Sequence, residues 1–261
     1  MDSDEMLALF DHEMREHARP EGPGVRVERN FDVVRQVGST DDWNGVVWTA
    51  PDLGPARAEA AIAAQVEHYT SLGHAEFEWK LYSHDRPADL GRRLLAAGFA
   101  AEEPETLFVA PVAGLPTTAG LPADTEAHTV SDAAGVELMV RAHELAFGTD
   151  GSRLRHQTLA RLTDDTFLAV VVLADGEPVS SARMVLHPGT DFAGLWGGGT
   201  APGWRGRGIY RALIAHRARV AAERGYRFLQ VDATDQSAPI LRRLGFTALS
   251  TTTPYVYRTA P

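Results

Sequence analysis

The chain has 261 residues, a length that fits two compact units of roughly 100–150 residues each. Lys and Arg number 25 against 35 Asp and Glu, a formal charge of −10, which argues against nucleic-acid binding and suits a cationic or amine-bearing substrate. There is no cysteine, which excludes disulfides, thiolate metal sites and a cysteine nucleophile and fits a cytoplasmic protein.

Residues Asp4 to Arg19 carry Met6, Leu7, Phe10 and Met14 at the spacing of one helix face, and Pro20, Gly22, Pro23 and Gly24 end that helix. This stretch is charged and lacks the long apolar core of a signal peptide, and nothing in the chain approaches the ~18 apolar residues of a membrane span, so no membrane partner is expected. Strand-like pieces follow at Val25–Val27 and Phe31–Val37, with a stronger one at Val46–Thr49. A helix from about Pro55 to Leu72 is stopped by Gly73, Glu76–Tyr82 reads as a strand, and Pro87–Ala97 reads as a short helix stopped by Gly98. Thr106–Val112 is the last strand before Pro111 to Pro122, a Pro-, Gly-, Ala- and Thr-rich run without apolar period that reads as a linker.

After it the pattern restarts. Glu126–Val130 reads as a strand, Asp132 caps a helix to about Phe147, and a second helix covers Ser152 to about Leu162. Phe167–Leu173 and Val179–Leu186 are apolar strands joined by the hairpin signal Asp175-Gly176, and Phe192–Thr200 is the next strand. Ile209–Arg224 is a helix with Ile209, Ala212, Leu213, His216 and Val220 on one face. Phe228–Ala233 is a strand, Ala238–Leu244 a short helix, and Phe246–Arg258 two closing strands. Strands alternating with single helices predict a mixed α/β (α+β) fold, twisted mixed sheets flanked by helices, in domains at 1–115 and 122–261 with 116–121 between them.

The halves resemble each other. Thr49-Ala50-Pro51 matches Thr200-Ala201-Pro202 at an offset of 151 (200 − 49), the same offset sets Phe77 on Phe228, and short helices then end in Gly98-Phe99 and Gly245-Phe246. They differ after the Thr-Ala-Pro. The second half reads Gly203-Trp204-Arg205-Gly206-Arg207-Gly208-Ile209-Tyr210, where glycines let the backbone turn sharply and the N–H groups of a helix start form an anion cradle. Arg205, Arg207 and Arg211 add positive charge there, which makes a pyrophosphate-sized site. The first half has Asp52, Pro55, which lacks an N–H, and Glu59, so it should have the shape without the anion site. The run is neither a P-loop nor a dinucleotide fingerprint.

The segment Thr200 to Leu213, with Arg205-x-x-Gly208 at the start of a helix, resembles the coenzyme A motif of the GNAT N-acetyltransferase superfamily. The strand Phe228–Ala233 and the helix ending in Gly245-Phe246 resemble that family's following elements. The resemblance implies a tandem arrangement of two GNAT-like domains, the N-terminal one degenerate and the C-terminal one binding acetyl-CoA as acyl donor. It implies that backbone groups of Gly198, Gly199 and Thr200 pair with the pantetheine arm, and that N–H groups from Arg205 through Gly206, Arg207, Gly208 and Ile209 to Tyr210 hold the pyrophosphate. Tyr210 replaces the usual small residue, so its side chain must point away from the phosphates. Thr234, at a cofactor-contacting position, replaces the Asn of many members, and Leu241 replaces the Tyr that can protonate the leaving thiolate.

The implied reaction is direct attack of a primary amine, of a small molecule or peptide, on the thioester. Asp232, at a strand end, is a candidate base or amine anchor, with helix capping as the alternative. Tyr255 and Tyr257 share a strand face and are candidate acids, although aromatics on a strand are more often core. His143 and Glu144 lie on the helix that borders the acceptor site by resemblance, though a solvated face explains them as well. The ten histidines show no ligand spacing, so no metal is expected. The missing Asn and Tyr leave open a non-catalytic acyl-CoA sensor, and tandem forms of this fold leave open a longer-chain acyltransferase.

Overall fold

The computed structural model describes residues Met1–Thr259. In chain order the elements are α1 (Ser3–Phe10), continued by a wider π turn over Asp11–Glu16, then β1 (Arg26–Arg29), β2 (Val33–Val37), β3 (Gly45–Thr49), α2 (Pro55–Ser71), β4 (Glu76–Tyr82), α3 (Leu90–Ala96), β5 (Ala100–Ala101) and β6 (Glu105–Pro111). There follow β7 (Thr125–Thr129), α4 (Ala133–Phe147), α5 (Ser152–Leu159), β8 (Phe167–Ala174), β9 (Glu177–Leu186), β10 (Phe192–Thr200), α6 (Ile209–Glu223), β11 (Phe228–Ala233), α7 (Ala238–Arg243) and β12 (Thr247–Arg258). The two expected closing strands are one. Three β-branched threonines, Thr251 to Thr253, carry the extended backbone into Pro254, whose carbonyl accepts from Glu102 N at 2.9 Å. Among the described residues no helix is long and apolar enough to cross a membrane.

Contacts divide the chain into two compact units. The first holds Met1–Phe108, Asp232–Ala238 and the stretch from Ala248; the second holds Val109–Val231 and Pro239–Thr247.

In the first unit β1, β2 and β3 form an antiparallel meander, β4 joins β3 in parallel, and β12 lies antiparallel on β4 from Thr252 to Arg258. The side chains alternate along β4. Phe77 and Trp79 enter a core with Ile62, Tyr69, Leu90, Leu94 and Phe99 from the α2 and α3 side. Tyr69 stacks on Phe77 at 4.4 Å and donates its hydroxyl to Gln36 O, so its polar end is satisfied inside the core. On α1, Asp2 and Glu5 form a reciprocal capping box, and the buried Arg15 meets Asp85 at 2.7 Å.

In the second unit β7, β8, β9 and β10 are an antiparallel run and β11 joins β10 in parallel. Asp175 and Gly176, both at positive φ, make the tight β8–β9 turn. Asp132 caps α4 by accepting from Gly135 N at 2.8 Å. One face of the sheet packs Ala169 and Val171 against Val136, Met139 and Val140 of α4; the other packs Val170, Val172 and Ala182 against Ile209 and Leu213 of α6. The sheet is therefore sandwiched, and β10 delivers the chain from its middle into the glycine turn before α6.

Candidate functional site

The turn is built from backbone. Thr200 ends β10, Pro202–Trp204 make one 3-10 turn, Arg205 is extended, and Gly206 and Gly208 take φ of +77° and +91°. A Cβ at Gly206 would meet open space, so it is the left-handed backbone and not crowding that calls for glycine there. Gly208 is the N-cap of α6 and has no side chain to cap it. Among the described residues no acceptor takes the N–H groups from Gly206 to Arg211; the first helical bond is Ala212 N to Gly208 O at 3.0 Å. These unpaired donors gather at the positive end of α6, the kind of arrangement an anion binds.

The arginines of the loop divide their work. Arg205 donates to Thr200 O at 3.0 Å and to Ala146 O at 2.9 Å, tying the turn to β10 and α4, so it acts as a staple. Arg207 is half exposed, stacks over Trp204 at 4.4 Å and lies 3.8 Å from Asp124. Ile209 is buried in the core below. The Tyr210 ring lies against β10, where a Cβ on Gly198 would come within 2.9 Å of its Cε2; burial raises its pKa, opposed by Arg217.

Upstream of the turn the strands part. The β10–β11 ladder ends at Gly194–Gln230, although β10 runs on to Thr200. On its other side β10 pairs with β9 except across a bulge between Trp196 and Gly199. Gly197 has φ +55°, and a Cβ at Gly199 would overlap Phe147 and Ala146 of α4. Ser180 fixes the end of the bulge by donating to Gly199 O at 2.6 Å and by pairing with Thr200 Oγ1 at 3.0 Å. The result is an extended backbone edge leading into the N–H cradle.

Two arginines flank the bulge, and neither was singled out from the sequence. Arg217 of α6 is 1% exposed and spends its donors on Leu213 O and Arg183 O; burial pushes its pKa down to about 10. Arg183 of β9 lies beside Gly197. The available signal was a cation inside an otherwise uncharged stretch, Pro178–Leu186, and one on the apolar face of α6. His143 stacks on Phe147 at 4.7 Å, its Nε2 lies 3.4 Å from Thr149 Oγ1, and its pKa is lowered by burial and by Arg183 against an opposing pull from Glu144. Glu144 itself accepts from Gly151 N, a loop-fixing task.

Asp232, read from sequence as a candidate base, and Tyr255 and Tyr257, read as candidate acids, belong to the first unit, and Asp232 faces away from the two tyrosines. Asp232 is paired with Lys80 Nζ at 2.5 Å, with side chains 3% and 17% exposed. Tyr255 pairs in register with Trp79, the next residue along β4, packs on the α2–α3 core and crowds Gly91 with its hydroxyl. Tyr257 joins Phe77 and Phe99 in an aromatic cluster. Thr234, also of the first unit, has its carbonyl taken by Ser237 N and Ala238 N. The sequence reading also passed over His12, Glu16 and His17, whose potential ligand atoms lie within 4.8 Å of one another near the surface; His12 Nδ1 is 3.2 Å from Glu16.

Comparison with known proteins agrees with this geometry. Residues 135–246 match the model of the Acetyltransferase (GNAT) family. No curated protein matches the chain. Among solved structures, a GCN5-related N-acetyltransferase from Kribbella flavida superposes with a TM-score of 0.70 at 19% identity, over 99% of this chain and 95% of that one. A GCN5-related N-acetyltransferase from Sphaerobacter thermophilus gives 0.63 at 17% identity, over 90% and 82%. A tandem GNAT protein from the clavulanic acid biosynthesis pathway gives 0.60 at 12% identity, over 94% and 86%. At such identities the likeness is one of fold, and it extends over both halves. The stretch 135–246 is thus a GNAT acetyltransferase-family domain, preceded by a half that is GNAT-like in structure.

Proposed function

We propose that the chain is an acetyl-CoA-dependent N-acetyltransferase that moves an acetyl group to a primary amine of a small molecule or peptide by direct attack. The observation that carries this reading is the run of N–H groups without acceptors from Gly206 to Arg211, at the end of a strand whose neighbour has parted from it. Bound acetyl-CoA would supply a thioester as acyl donor. The N–H groups of the turn would hold its diphosphate, and the edge of β10 at Gly198 to Thr200 would pair with the pantetheine arm. An N–H near Gly199 would take the charge that builds on the acyl oxygen.

An alkyl amine with a pKa near ~10 is almost wholly protonated at pH 7, so the acceptor must lose a proton before it attacks. His143 is suited to receive it, because burial and the neighbouring cation keep its imidazole neutral. The C–N bond then forms, the C–S bond breaks and coenzyme A leaves as a thiolate, and the second proton, shed by the nitrogen as it becomes an amide, passes through water to that thiolate. Asp232 is the other candidate base. His143→Ala and Asp232→Asn, compared for turnover in folded protein, separate the two.

The test is calorimetry with acetyl-CoA, followed by thiol release against a panel of amines. Heat of association and turnover with at least one amine are expected. Well-folded protein that binds no CoA thioester would end this reading.

A further inference from the structure

Arg183 is a lone cation in β9, between the fully buried Ala182 and Met184. Its ladder partners are Ala169 and Trp196, and Ala169 packs under α4, so its side chain rises on the α4 side of the sheet. A guanidinium carries five N–H donors and stays charged at ordinary pH. Other well-covered arginines here have obvious partners. Arg15 meets Asp85 and Asp11, Arg161 meets Asp164, Arg35 meets Glu28, and Arg217 is spent on two carbonyls. Arg183 is the exception: among the described residues its guanidinium has neither a hydrogen-bond acceptor nor a carboxylate.

Its charged surroundings deepen the contrast. Burial pushes its pKa down to about 10, and Arg161 pushes the same way with no acid opposing. Such an unpaired charge is costly in a folded protein unless something arrives to pair with it. The side chain is only half-buried, so a solute can reach it. It also lies against the bulge: a Cβ on Gly197 would stand 3.0 Å from its Nη2 and 3.2 Å from its Nε. Gly197 is the residue before the backbone edge proposed to hold the acyl donor, and His143 shares the site.

We propose that Arg183 anchors a carboxylate of the acceptor, so that the substrate class is a small amino acid, carrying amine and carboxylate together. The planar fork of the guanidinium takes a carboxylate through two parallel bonds, which fixes the orientation of the amine as well as adding affinity. This inference rests on the acetyltransferase reading above.

The experiment begins with calorimetry of acetyl-CoA and then compares matched acceptors: amino acids, their carboxamides and the decarboxylated amines. Wild-type protein is expected to favour the acids by about 30-fold or more in kcat/KM. At about pH 8.5, where His143 is neutral with or without the neighbouring cation, Arg183→Gln should raise KM for the acids by about 30-fold while changing acetyl-CoA affinity and KM for the amides less than about twofold, and Arg183→Lys should recover part of the loss. Wild-type protein that accepts amides as readily as acids overturns the inference, and this arm needs no variant. So does an Arg183→Gln enzyme slowed equally on every acceptor, which would assign the guanidinium to the thioester. Either result leaves the acetyltransferase reading standing, whereas absence of acetyl-CoA binding removes both.

Discussion

The stretch Val46 to Pro55 and its counterpart from Gly197 to Ile209 share a Thr-Ala-Pro and a following helix but differ in the residues on either side of it. At the offset of 151, Val46-Val47-Trp48 stand where Gly197-Gly198-Gly199 stand, and both lead into Thr-Ala-Pro and a helix. In the first unit β3 stays paired with β4 through Val46, and α2 opens on Pro55 after Gly54 in ordinary extended conformation. In the second unit the β10–β11 ladder has already ended at Gly194, and α6 opens on Gly208 with φ +91°. One frame thus serves two tasks. In both units the strand runs on beyond its last parallel partner, β3 by three residues and β10 by six, but only in the second is that stretch rich in glycine and followed by a turn with two glycines at positive φ that presents backbone donors. The cations beside the two strands also differ, since Lys80 and Arg15 of the first unit meet carboxylates whereas Arg183 and Arg217, which flank the bulge, do not.

If the first unit is scaffold, its internal pairing should show up in stability and not in cofactor affinity. Lys80→Met leaves the Asp232 carboxylate buried and uncompensated, and should cost about 3–5 kcal/mol in chemical denaturation while leaving acetyl-CoA affinity of the folded protein unchanged. The converse change is in the second unit. Gly208→Asp puts a side chain on a left-handed backbone and a negative charge in the N–H cradle. It should weaken acetyl-CoA binding by about 100-fold or more, roughly 2.7 kcal/mol, by calorimetry. Gly54→Asp, at a φ of −75° with open space around it, should not weaken binding at all. Equal losses from both aspartates would dissolve the contrast.

A smaller step copies one unit into the other. Gly198→Val restores the residue type of Val47, but its Cβ would press to 2.9 Å on Tyr210 and cover the edge of β10. A loss of acetyl-CoA affinity of about tenfold is expected, with overpacking costing about 1–2 kcal/mol of stability. Unaltered affinity would mean that β10 does not offer its backbone there.

Much of this was legible along the chain because it is local. The paired glycines Gly206 and Gly208 mark a sharp turn before a helix, Asp132 three residues before Gly135 reports a cap, and Asp175-Gly176 reports a hairpin. What was not legible is non-local. Lys80 and Asp232 are 152 residues apart, and no local pattern shows that a strand-end aspartate is already the counter-ion of a buried lysine. Tyr255 could be placed on a strand face, but only the register with Trp79 shows that this face is a core. Nor could β12 be seen as one strand, because Pro254 reads as a break until its pairing with β4 is known. Arg183 was visible as a cation, but the absence of partners is a property of the folded neighbourhood alone.

The smallest expected effect tests the first unit's charge pairing by pH. Glu78, on the same face of β4 as Lys80, accepts from Trp43 Nε1 at 2.7 Å, and burial raises its pKa above 4.5 despite the pull of Lys80 and Trp43. A carboxyl whose folded pKa exceeds its unfolded one binds protons more tightly when folded, so its ionisation subtracts stability as pH rises through the folded value, and the penalty is absent below the unfolded value. Glu78→Gln keeps an acceptor for Trp43 and removes that penalty. The variant should therefore be slightly more stable than wild type at pH 7, and the gap should close as pH falls toward 4.5. A gap that widened on acidification would mean that Lys80 stabilises the Glu78 carboxylate more than burial penalises it, and that the first unit's charges form one cooperative network instead of the Lys80–Asp232 pair with an unfavourable neighbour.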